Sequence, residues 1–154
     1  MIDIDIIPFE HHRDILLKVP SLNLDKQLDS YYFHIDHVVT EGKMSYNQNI
    51  CSLLNNFITA VLQLSDNSIC YLPIDFSDQY IGCFRVHRNK DHHTIDYGFT
   101  ANIEGHAILP YDSIPFNIDD NAYKQTSMSI ECNVDEFIGD LKYTISKIGE
   151  VKVV

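Results

Sequence analysis

The sequence has no tryptophan, only six glycines, and 11 basic residues against 22 acidic ones. Each shortage excludes a class of protein. The glycines are scattered, and neither GxGxxG nor GxxxxGK[ST] occurs, so no backbone cradle for phosphate groups is in view and a nucleotide enzyme is not expected. The G-x-S-x-G elbow of serine hydrolases and the helix-borne H-E-x-x-H of zinc proteases are missing too. With so few bases the formal charge is −11. Such a surface is repelled by polyanions, so neither nucleic acid nor an anionic membrane is expected as a ligand. No run approaches the roughly 18–20 apolar residues of a membrane helix. The opening MIDIDIIPFE alternates Ile with Asp and does not read as a signal peptide. Cys51, Cys70, Cys83 and Cys132 form no CxxC pair and sit in apolar stretches, so buried reduced thiols are expected rather than a disulfide or metal ligands. No Asn-x-Ser/Thr acceptor occurs. Together these features place the chain in a reducing cytoplasm.

What is present is enough for one packed core. The 154 residues are 45% hydrophobic and 11% aromatic, with no repeat, low-complexity tract or linker, so residues 1–154 read as a single domain. The clearest element is a helix from Tyr46 to Leu64 behind a Ser45 N-cap. Ile50, Leu53, Leu54, Phe57, Ile58, Val61 and Leu62 recur at three-and-four spacing on one face, with Asn49, Asn55 and Asn56 elsewhere. A second helix, Val134 to Ile148, is capped by Asn133, carries Asp135 and Glu136 in its first turn, and ends at Gly149. Strands are expected over Ile2–Phe9, Tyr31–Thr40, Ile69–Phe76, Tyr80–Arg88, Thr94–Ile103 and Thr126–Cys132. Asp14–Val19 is a short apolar piece, Ser21–Ser30 an irregular one, and Leu109–Gln125 a long ordered loop with room for one short strand. The fold class is α+β: a mostly antiparallel sheet of five or six strands with two amphipathic helices on one face.

Candidate chemistry is sparse. His34 and Asp36 share a strand face while His37 points away, which leaves too few ligands for zinc. His11-His12 and His92-His93 fall in turns, where exposed imidazoles are ordinary, and His87 is placed to pair across a hairpin with Asp96 or His93. No cysteine has an activating base beside it. The sequence implies no cofactor, no metal site and no catalytic residue.

Charge remains. Between Leu109 and Asp140 seven acids (Asp112, Asp119, Asp120, Glu131, Asp135, Glu136, Asp140) face a single base, Lys124, with Tyr111, Phe116 and Tyr123 interleaved. Tyrosines supply contact area and carboxylates meet Arg and Lys, so Tyr111, Asp112, Asp119, Asp120, Tyr123, Asp135, Glu136 and Asp140 form a candidate surface for a basic protein. A solvated loop followed by an ordinary acidic helix start would have the same composition.

The whole-chain character, small, acidic, cytosolic and without catalytic motifs, resembles the immunity proteins of bacterial contact-dependent and polymorphic toxin systems. That resemblance implies a protein partner, the basic domain of a cognate toxin such as a nuclease, bound and occluded rather than chemically altered. It carries over no residues. The order helix-then-strands, notably NNFITAVLQLSDNSICYLPIDFSDQYIG, also looks like the opening of type III secretion chaperones, acidic homodimers that hold an effector segment; the chain departs from them by roughly 45 residues ahead of the helix. An enzyme using His34 with Asp36, or His87 with Asp96, is the third reading.

Overall fold

The computed structural model describes residues 5–8, 15–28, 46–101 and 118–150. The expected strand Tyr31–Thr40, with His34, Asp36 and His37, lies outside the described residues, as do His11, His12, Ser45, Tyr111, Asp112 and Phe116.

Strands β1 (Asp5–Pro8), β2 (Ile15–Val19) and β3 (Leu24–Leu28) form a small antiparallel sheet in that order. The expectation of an irregular Ser21–Ser30 is corrected. Pro20–Leu22 makes one turn of 3-10 helix, and Asn23 adopts φ 54°, a left-handed conformation that asparagine tolerates better than most residues. The chain thereby reverses, and LDKQL pairs with β2 in the register Val19↔Leu24 to Ile15↔Leu28. Ile15, Leu17 and Val19 alternate into the core, as a one-sided strand requires.

Helix α1 spans Tyr46–Gln63. It is followed by β4 (Ile69–Phe76), β5 (Ile81–Asn89) and β6 (His92–Thr100), an antiparallel meander. The turn after β5 is tighter than expected: Lys90 takes φ 55° and Asn89 pairs directly with His92, so His92 and His93 belong to the strand. The far edge of β6 is shared. β7 (Tyr123–Gln125) pairs with Gly98–Thr100, and β8 (Ile130–Asn133) pairs with His92–Ile95. Between them the chain stays tied to β6 at Tyr97, whose carbonyl accepts from the amides of Thr126 and Ser127 at 2.9 and 3.0 Å. Among the described residues the large sheet therefore has five strands, within the expected number, and the small sheet is an addition to it.

Helix α2 spans Val134–Glu150. Asn133 caps it as expected: its Oδ1 accepts the Glu136 amide at 2.9 Å, and Glu136 reaches back to the Asn133 amide at 3.3 Å, a capping box that satisfies donors at both ends of the first turn. Gly149 lies inside the helix rather than after it. A Cβ at Gly139, within the exposed face, would meet nothing within 4 Å. Gly139→Ala should therefore stabilise the protein by about 0.5–1 kcal/mol, because alanine loses less backbone entropy in a helix. A higher urea midpoint with an unchanged slope checks this.

One continuous core joins α1 (Ile50, Leu53, Leu54, Phe57), α2 (Phe137, Leu141, Ile148), the inner face of the small sheet and one face of the large sheet (Leu72, Phe84, Val86, Ile95, Tyr97). Two residues of α1 depart from the expected face. Leu62 is 60% exposed, and Asn49, expected on the polar side, is buried. The two sheets are joined by an ion pair between Lys26 on β3 and the fully buried Asp75 on β4, at 2.8 Å. A register shift between Pro73 and Asp75 accompanies it, and β4 is the terminal strand of the large sheet's order, where a proline is tolerated.

Candidate functional site

The register of β4, β5 and β6 sets Tyr71, Arg85 and Asp96 side by side. They occupy the face opposite Leu72, Phe84, Val86 and Ile95, away from the helices. Arg85 is the centre. Its Nε and Nη2 donate to Asp96 Oδ2 at 3.2 and 2.9 Å, its Nη1 to Asp120 Oδ1 at 3.2 Å, and its Nη2 also to Gln125 Oε1 at 3.3 Å. The guanidinium stacks over the Tyr123 ring, 4.6 Å from the centroid. Tyr123 donates its hydroxyl to Asp96 Oδ1 at 2.7 Å, and Tyr71 donates its hydroxyl to Asp120. The two tyrosine rings lie 5.4 Å apart and, with Cys83 and Ile118, make a second small core under the network.

Electrostatics follow from this closure. The Tyr71 hydroxyl, then the Arg85 guanidinium, holds the Asp120 carboxyl below its ordinary range against a smaller opposing effect of burial. Burial, then the bond to Asp96, pushes the Tyr123 phenol far up, so it stays a proton donor. Burial likewise raises the Cys83 thiol, which makes it a packing group rather than a nucleophile. The arrangement holds protons firmly and leaves its one charged outlet at Asp120, whose side chain is 54% exposed.

The expected site residues separate on this frame. Asp119 and Asp120 sit together: Asp119 Oδ1 accepts the Asn121 amide at 3.0 Å and caps the short 3-10 turn of Asp120–Ala122. Tyr123 was expected as an exposed contact residue; it is 8% exposed and spends its ring on Arg85 and Tyr71. Asp135 and Glu136 are exposed at the start of α2, but that helix covers the other face of the sheet, so the loop acids and the helix acids do not form one patch. Asp140 is 6% exposed and turns inward, where it offers little contact area. Asp96 pairs with Arg85, not with His87, whose register partner is Thr94. Arg85 and Tyr71 were not singled out from the sequence; the available signal was a lone arginine inside the apolar run YIGCFRV. Among the described residues no group of three or more His, Cys, Asp or Glu could hold a metal ion, and no helix is long and apolar enough to cross a membrane.

His93, expected exposed in a turn, is 3% exposed on β6, and neither ring nitrogen has a hydrogen-bond partner among the described residues. Burial, then the charges of Arg88 and His92, holds it below the usual histidine range. In the unfolded chain the ring regains a pKa of about 6.5. Below that value the unfolded state takes up a proton that the folded state refuses, so this contribution to stability is complete above the unfolded pKa and declines as pH falls through it. Urea midpoints should drop between roughly pH 7 and 5.5 in the wild type, and distinctly less in His93→Leu. An equal drop in both would assign the loss to other groups.

No family model and no curated protein sequence matches this chain. One solved chain, from a structure described as a CdiA-CT/CdiI toxin and immunity complex from Enterobacter cloacae, aligns over 96% of this chain and 99% of its own with a TM-score of 0.48 and 11% identity.

Proposed function

We propose that this protein acts by binding, as an immunity protein that neutralises a basic toxin domain by covering its active surface. The observation that carries the reading is how charge is distributed on a chain of net −11. Lys18, Lys26, Arg85 and Lys147 each lie against a carboxylate of the protein itself, at 3.6, 2.8, 2.9 and 3.1 Å, and Arg88 donates to the carbonyls of Leu64 and Lys90. Asp78, Asp91, Asp119, Asp120, Glu131, Asp135 and Glu136 remain exposed. Lys90, Lys124 and Lys142 are exposed as well, but the exposed carboxylates outnumber them, and the excess produces a negative field that speeds encounter with a basic surface, such as the substrate cleft of a nuclease. The four free cysteines support a reducing compartment, the cytoplasm. The network around Arg85 fits binding better than catalysis, since its hydroxyls and thiol are held protonated.

The test is co-purification with the toxin domain encoded beside this gene, followed by association kinetics. Association should slow steeply as salt rises. The double reversal Asp119→Lys with Asp120→Lys should cut the association rate about tenfold at low salt, and Asp135→Lys, on the other face, by much less. If both variants associate at the wild-type rate, the exposed acids serve solubility alone and the reading fails.

A further inference from the structure

A cavity of about 370 Å³ opens between the C-terminal turn of α1, the β5–β6 turn and the N-terminus of α2. It is separate from the Arg85 network; it shares only Asp91 and Asp135 with the outward negative charge of the proposed toxin binding. Its lining has three kinds of group. Val61, Leu62 and Val134 are apolar, and Leu62 is an uncovered leucine. Arg88, Lys90 and His93 supply donors, Asp91 and Asp135, both exposed, supply carboxylates, and Asn133 completes the lining.

His93 and Arg88 point to an oxyanion. His93 has two ring nitrogens without partners, a condition that costs free energy in a folded protein and is relieved by any ligand oxygen that accepts from its N–H. Arg88 is fixed by Nη1 to the Leu64 carbonyl at 2.6 Å and by Nε to the Lys90 carbonyl at 3.3 Å, and its Nη2 takes part in neither bond. A guanidinium held in place by its own backbone is already oriented for a carboxylate. Arg88 and Lys90 are matched in the same lining by Asp91 and Asp135, so a ligand that carries both charges fits it better than a simple anion. The apolar residues require a short hydrocarbon body. We infer that this cavity binds a small zwitterion of the amino-acid type with an apolar side chain, its carboxylate at Arg88 and His93 and its ammonium group at Asp91 and Asp135. The volume is at the lower end for small-molecule sites and suits a ligand of that size.

The experiment follows the His93 ring resonances of the full chain by NMR at constant ionic strength. Three probes are used: L-leucine, 4-methylpentanoate, which lacks the amine, and 3-methylbutylamine, which lacks the carboxylate. Leucine should shift the His93 signals saturably, 4-methylpentanoate should bind more weakly, and the amine should not bind. Arg88→Gln should weaken leucine binding at least about tenfold, the loss of a charged hydrogen bond. Because Arg88 also holds the end of α1, Asp135→Asn, at an exposed position, serves as the second variant and should weaken leucine but leave 4-methylpentanoate unchanged or tighter. No saturable shift with leucine, equal binding of leucine and 4-methylpentanoate, or unchanged leucine affinity in folded Asp135→Asn protein would each overturn the assignment. The readout is leucine binding alone, so its failure would leave the toxin-binding reading, which is tested by association kinetics, untouched.

Discussion

Asp96→Ala is expected to lower stability by about 3–5 kcal/mol, the cost of removing one partner of a buried ion pair. Asp96 is nearly fully buried and receives three donors, two from Arg85 and one from Tyr123. Alanine would leave a mostly buried guanidinium facing a small void and a buried phenol without an acceptor. Asp120 alone is too exposed to compensate. On a chain of this length each kcal/mol moves the melting temperature by roughly 2–4 °C, so a fall of about 10 °C is expected in calorimetry. The double variant Arg85→Met with Asp96→Leu distinguishes mechanism from simple damage. Removing both charges abolishes the desolvation cost together with the attraction, so the double variant should be markedly more stable than Asp96→Ala alone. If it is equally unstable, shape rather than charge pairing at this site holds the sheet.

Gly98→Ala should cost about 1–3 kcal/mol or more and do so locally. Gly98 lies on β6 opposite Gln125 of β7. A Cβ there would stand 2.2 Å from the Lys124 carbonyl oxygen and 2.7 Å from the tip of the Tyr123 ring. Neither neighbour can give way cheaply, since one is backbone and the other is pinned between Arg85 and Asp96. The strand would have to lift, taking with it the Gln125 contact to Arg85 and loosening the segment that bears Asp119 and Asp120. Hydrogen exchange should therefore accelerate at the amides joining β7 to β6 while those joining β4 to β5 stay protected. Uniform acceleration across the large sheet would show that β7 is not an independently opening edge.

The regular elements were legible because their periodicity is local. Helix α1 and strands β4, β5 and β6 follow from three-and-four spacing and from apolar runs, and α2 from its cap and charge placement. β3 was missed because LDKQL has little apolar signal of its own; its strand state depends on the left-handed Asn23 turn and the partner strand β2. The candidate surface fared differently. Seven acids close together in sequence suggested one patch, yet sequence proximity does not say on which side of a sheet a residue emerges. Tyr123 looked like a contact aromatic and became core, because β7 docks beside a glycine that lets its ring reach Arg85. Leu62 looked like core and is exposed beside the His93 cavity.

By itself, then, the amino-acid order determined the α+β class, the two helices, the reduced cysteines and the excess of negative charge, since propensity, spacing and composition act over a few residues. Only tertiary structure decided which charges cancel and which face outward. Arg85 meets Asp96 and Asp120 across 11 and 35 residues of chain, and pairings at such separations are set by strand register and packing rather than by any local preference.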